Sequence, residues 1–173
     1  MPADINEMST RELLATFSRI MAELKQRGVV RTYNNPVADY CERLASFALG
    51  LQLENNSHKG YDAIDRAGMK YQIKGRLIHE PRSLYQLGVI RDLNASEFDF
   101  LIAVLLDPTF SVIEAYKIPH RVVAKYSRYN EYQHGNILRL SGRITEDPAI
   151  ERIGKMLRVE LPERNGIPES KID

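Results

Sequence analysis

The 173-residue chain has one cysteine, Cys41, so no disulfide can form within it and a zinc site built from several thiolates is excluded. No apolar run approaches the roughly 18 to 20 residues needed to cross a bilayer. The opening MPADINEMSTRELL lacks the basic-then-apolar layout of a secretion signal. No membrane partner is expected, and a cytoplasmic location is. An excess of one charge is missing too: 24 Lys and Arg face 23 Asp and Glu, and the formal net charge of +1 is too small to announce a polyanion binder. There is no internal repeat and no low-complexity tract. What remains, 43% hydrophobic and 27% charged residues at this length, suits one domain with a sizeable core.

The balanced total hides an uneven distribution. Residues 58–91 carry seven bases against three acids, and in 92–145 the bases gather late, from Lys117 to Arg143. If these two regions meet in space they suit a polyanionic partner; as separate solvated faces they suit none.

Ser9-Thr10-Arg11-Glu12 has the form of a capping box ahead of Leu13, Leu14, Phe17, Ile20, Met21 and Leu24. This predicts a helix over about 10–26 whose apolar face is core or a dimer contact. Asn35-Pro36 predicts a second helix, closed by Gly50, with Val37, Cys41, Leu44, Ala45 and Ala48 as its apolar stripe. Asp39 and Glu42 lie on an adjoining face, where a solvated pair of acids near a helix start is the plain reading. Cys41, on the apolar stripe, reads as a buried structural thiol.

Further along, the spacing predicts a short strand at 51–53, a hairpin over 60–78 and a helix from Glu80-Pro81 to Arg91. After these come a doubly buried strand at 98–106, a strand near 110–117, a helix at 119–126, a strand near 137–140 and a last helix after Asp147-Pro148. The hairpin Gly60–Arg76, GYDAIDRAGMKYQIKGR, holds the chemistry. Its polar Asp62, Gln72 and Lys74 share one face only if paired residue numbers sum to an even number. A two-residue Ala67-Gly68 turn would give an odd sum, so a connection of three or more residues, or a bulge, is required.

The element order, with an acid on a preceding helix and Asp62…Gln72-Ile73-Lys74 on central strands, resembles the PD-(D/E)xK nuclease superfamily over residues 34–107. Gly60-Tyr61-Asp62 stands for its first half-motif and Gln72-Ile73-Lys74 for its second. Glu42, or less readily Asp39, stands for the helix acid. The resemblance implies an α/β, restriction-endonuclease-like core (αβββαβ), a central mixed sheet flanked by helices, with an extra N-terminal helix and C-terminal additions. The whole chain, 1–173, would be a single nuclease-like domain, with an extension over 108–161 and a polar tail at 162–173. It also implies Mg²⁺-dependent hydrolysis of DNA phosphodiesters, with Mn²⁺ able to substitute. Asp62, the Ile73 carbonyl, Glu42 and Gln72 would hold the metal, and Lys74 would act on the attacking water. Hard divalent cations favour such oxygen donors. Gln72 departs from the usual second carboxylate and removes one negative charge. The alternative is a module of the same fold that binds nucleic acid, or another protein, without efficient chemistry. Cutting both strands of a duplex would need two sites, hence a homodimer. Lys59, Arg76, Arg128, His134, Arg139 and Arg143 are the candidate nucleic-acid contacts, the last four interleaved with Tyr126, Tyr129 and Tyr132.

Overall fold

A computed structural model describes residues 4–55, 60–79 and 85–162. Helix α1 (Thr10–Gln26) starts with the expected capping box, in which the Ser9 side chain accepts from Glu12 N and the Glu12 side chain accepts from Ser9 N. Helix α2 (Pro36–Leu49) starts on Asn35, whose side chain accepts from Val37 N, and ends on Gly50 in the left-handed region at φ 65°. The two helices differ in burial. α2 buries Cys41, Leu44 and Ala45, whereas α1 buries only Met21; Leu14, Phe17 and Ile20 remain 65%, 51% and 52% exposed. The apolar stripe of α1 is thus not core.

Six strands form a mixed sheet: β1 (Gln52–Leu53), β2 (Ala63–Ile64), β3 (Lys70–Leu77), β4 (Phe100–Leu106), β5 (Val112–Pro119) and β8 (Glu151–Arg152), adjacent in that order. β3 and β4 are parallel and the other pairs antiparallel. Leu101 to Leu106 are fully buried, as a central strand covered on both faces requires. One face packs on α2, through Tyr71, Ile73, Ile102 and Val104 with Cys41, Leu44 and Ala45. The opposite face, through Leu101, Ala103, Leu105, Tyr116 and Ile118, packs on helix α3 (His120–Tyr126) and on Leu138, Leu140 and Ile144. A small hairpin, β6 (Arg128–Asn130) with β7 (Gly135–Ile137), belongs to this second layer. The architecture is α/β, a mixed six-stranded sheet flanked by helices. Among the described residues no helix is long and apolar enough to cross a membrane.

Two predicted helices are corrected. Of the helix expected over 80–91, residues 80–84 lie outside the described residues, and 85–91 is extended. Leu87 N donates to Leu138 O at 3.0 Å, and Ile90 exchanges both backbone bonds with Asn136. Leu87 and Ile90 are three apart and both buried, which mimics helical spacing. The backbone partners that 136–140 supplies decide otherwise. The helix expected after Pro148 shrinks to α4 (Gly154–Leu157), because residues 151–152 pair with β5 and Ile153 N donates to Ala115 O.

Candidate active site

The hairpin meets its register condition. Ala63 pairs with Tyr71 and Ile64 with Lys70, an even sum, across a five-residue connection, Asp65–Met69. Gly68 there takes φ 81°, and the Asp65 side chain accepts from Ala67 N and Met69 N, which closes the turn. The pairing does not extend regularly to Asp62, since Ala63 and Asp62 both oppose Tyr71; Gln72 and Lys74 share one side of β3.

Asp62 stands just before β2, held by its own backbone: its N–H donates to Tyr71 O at 2.8 Å and its carbonyl accepts from Glu54 N at 2.9 Å. Its carboxylate Oδ2 accepts from Ile73 N at 2.6 Å. The carboxylate therefore lies close to the sheet plane, in the gap where β2 has not yet begun. The Ile73 carbonyl is on the same side of its strand as that N–H and faces the same gap. Burial raises the Asp62 pKa above the ordinary carboxylate value, while the Ile73 N–H and the charges of Lys74 and Arg31 oppose the rise.

Glu42 comes from α2 and lines one small cleft with Asp62, Glu54 and Arg31, about 220 Å³ in volume. Burial first, and the Asp62 charge second, push the Glu42 pKa up to about 7 against the pull of Arg31. Arg31, in the loop between α1 and α2, pairs through Nη2 with Glu42 Oε2 and donates from Nη1 to the Glu54 carbonyl at 2.6 Å. Gln72 and Lys74 do not line this cleft; half-buried and in register with Leu101 and Ala103, they project to the face of β3 opposite α2, so the structure does not bring them together with Glu42. Asp62 is thus the hinge of the constellation, coupled electrostatically to Glu42 on one side and to Lys74 on the other.

Asp39 has a different task. It is 8% exposed, not solvated, and its Oδ2 accepts from Arg31 N, Thr32 N and Thr32 Oγ1 at 2.8–2.9 Å. It ties down the loop that carries Arg31. Cys41 is buried on the Gly75 backbone, where burial pushes its thiol up to about 12, as befits an inert core sulfur.

The donor set accommodates a divalent cation in one informative respect. Gln72 Oε1 is buried with no hydrogen-bond partner among the described residues. An orphaned carbonyl oxygen is a donor that a hard cation can take, but this one stands outside the cleft that Glu42 and Asp62 line. No three His, Cys, Asp or Glu side chains converge to hold a metal among the described residues, so any such site leans on Gln72 and the backbone.

Of the outlying candidates, Arg128, Arg139 and Arg143 line one cleft on the second layer. His134 sits in the β6–β7 turn at φ 49° and does not line that cleft. Arg76 follows Lys74 by two on β3, in register with Leu105. Lys59 lies outside the described residues. Sequence reasoning missed Arg31 and Glu54, which sit in irregular loops with no motif around them. No protein-family model matches the chain, and no curated protein is significantly similar to it.

Proposed function

We propose that the chain is a Mg²⁺-dependent DNA endonuclease with a restriction-endonuclease-like core. The observation that carries the reading is Asp62: half-buried at the mouth of the β2–β3 hairpin and fixed by the Ile73 N–H, it feels the charge of Lys74 on β3 and shares a cleft with Glu42. Asp62, Glu42, Gln72 Oε1 and the Ile73 carbonyl would hold the metal. Bound there, Mg²⁺ (or Mn²⁺) supplies Lewis acidity toward the phosphate.

The chain's own residues do the rest. Asp62 keeps its carboxylate fixed through the Ile73 N–H, so little reorganisation remains when substrate arrives. Lys74 orients the attacking water by hydrogen bond and stabilises the negative charge growing on the phosphate. An amine suits this better than a guanidinium, being a compact donor whose protonation can respond to its surroundings. Asp39 holds the Arg31 loop, and Arg31 neutralises Glu42 while the cleft is without substrate.

A homodimer supplies the two sites a duplex cut needs, and the open face of α1 is the surface for it. Antiparallel pairing of two α1 helices about Phe17 sets Leu14 opposite Ile20 and Arg11 opposite Glu23, joining apolar and complementary charged positions.

One observation favours the second reading, a binding module without chemistry. Arg31 already provides Glu42 with a positive partner and needs no metal to do so. Plasmid nicking with Mg²⁺ or Mn²⁺ separates the two. The wild type nicks, and Asp62→Ala and Lys74→Ala each lose about 100-fold or more of the rate. A folded wild type that binds DNA but cuts no plasmid in either metal overturns the enzyme in favour of the module.

A further inference from the structure

The second layer carries a cleft with its own chemistry. It lies between the end of α3, the β6–β7 hairpin and the 3-10 turn Gly142–Glu146, with a volume of about 720 Å³. Lys125, Arg128, Arg139 and Arg143 line it, and among the described residues no Asp or Glu does. The cations differ in how far they are committed. Lys125 pairs with Asp147 at 3.1 Å, and Arg139 Nε donates to Gln86 Oε1 at 3.4 Å. Among the described residues, the side chains of Arg128 and Arg143 have no hydrogen-bond or ion-pair partner. Two uncommitted, exposed guanidinium groups lining one concavity offer planar donor forks to an incoming anion such as a phosphate.

The frame under these groups is built rather than loose. Arg128 pairs in register with Ile137, and Arg139 bridges to Gln86, so three extended segments, 85–90, 135–139 and 128–130, run side by side beneath the cleft. They are packed closely: a Cβ on Gly135 would fall 2.5 Å from Val89 Cγ2 and 2.9 Å from the Ile90 carbonyl. Buried Leu138, Leu140 and Ile144 anchor the same segments to the sheet. Beside the arginines stands Tyr129, 58% exposed, and Tyr126, whose hydroxyl is held by Asp147 at 3.1 Å.

We propose that this cleft binds an unpaired nucleic-acid strand, its phosphates on Arg128 and Arg143 and a base against Tyr129. A duplex presents its phosphates on a convex surface with its bases stacked inward, so it cannot offer a base to a tyrosine in a concavity. A single strand offers both. An acidic peptide would satisfy the arginines but leave Tyr129 idle. The inference concerns binding alone and does not depend on the Asp62 site being catalytic.

The test is fluorescence anisotropy in EDTA with a labelled oligothymidine of about ten nucleotides. A blunt duplex of the same length and oligoglutamate serve as competitors. Wild type binds the oligothymidine more tightly than either competitor. Arg128→Gln/Arg143→Gln, two exposed positions, weakens it by about tenfold or more and lowers the salt slope of log K by about 1.4, two phosphates at roughly 0.7 each. Tyr129→Ala weakens it by about fivefold or more, the low end of base–aromatic stacking. Lys155→Gln, an exposed cation on α4 that lines neither this cleft nor the Asp62 cleft, binds as wild type does, so the loss in the double variant is not a general effect of removing positive charge. Unchanged affinity in the double variant, or duplex or oligoglutamate bound as tightly as the single strand, overturns the proposal.

Discussion

At the scale of single residues, Gln72 is where charge and burial pull hardest against each other. Its Oε1 is buried and unpaired, which costs on the order of 1–3 kcal/mol when nothing fills the gap. A carboxylate there would supply the charge that the proposed metal site lacks, but without a metal it would bury a further acid on β3, the strand whose Ile73 N–H holds Asp62. Gln72→Glu is therefore expected to act with opposite sign in two conditions. In EDTA its melting temperature falls, by the equivalent of about 1–3 kcal/mol, because a buried charge lacks a partner. With Mg²⁺ the loss is recovered, and half-maximal metal binding moves to lower concentration. Calorimetric melting with and without Mg²⁺ checks both halves, and equal melting temperatures in the two buffers count against a metal at this position.

At the scale of elements, the contact between α2 and β3 sets the distance from Glu42 to Asp62. It is close because β3 lacks a side chain where α2 crosses it. A Cβ on Gly75 would lie 2.3 Å from Cys41 Sγ, 3.0 Å from Cys41 Cβ and 3.2 Å from Val37 Cγ1. Gly75→Ala should thus push α2 outward, with a stability loss of about 1–3 kcal/mol in urea denaturation, the usual cost of overpacking. Adding Cys41→Ala removes the nearest atom and should restore part of that loss, a coupling that a double-mutant cycle reads directly. Additive losses would mean that the helix does not rest on this contact. The same contact explains why Cys41 is a packing residue, consistent with its place on the apolar stripe.

At the scale of the whole molecule, α1 is the element whose pattern and placement disagree. It has the amphipathic stripe of a core helix, yet Leu14, Phe17 and Ile20 face outward. An apolar stripe of this kind left open on a folded chain points to association. Phe17→Glu puts two like charges together at the two-fold axis of the proposed dimer. Sedimentation equilibrium should show a dimer for wild type and a monomer for the variant, with the melting temperature of the isolated subunit little changed because Phe17 is half-exposed. A monomeric wild type would remove the dimer and leave the hydrolytic site untouched.

The sequence by itself determined what depends on neighbours along the chain. The Ser9–Glu12 capping box, the Asn35-Pro36 start and Gly50 stop of α2, the doubly buried β4 and the Gly68 turn are local agreements between residue type and backbone conformation. The even register that a period of two demands is met at Ala63 and Tyr71, and Gln72 and Lys74 share one side of β3, but Asp62 stands outside the paired residues with its carboxylate on the Ile73 N–H. The tertiary structure decided what depends on distant partners. Leu87 and Ile90 sit on an extended segment because residues 136–140 supply hydrogen bonds, and Asp39 is a loop anchor because Arg31 and Thr32 come to it. Arg31 enters the site from a loop 31 residues before Asp62, and Arg128 and Arg139, placed by strand pairing, share a cleft with Arg143 of the 3-10 turn. Spacing along the chain encodes which way a side chain points on its own element, but which charges meet across elements is fixed only when the layers pack.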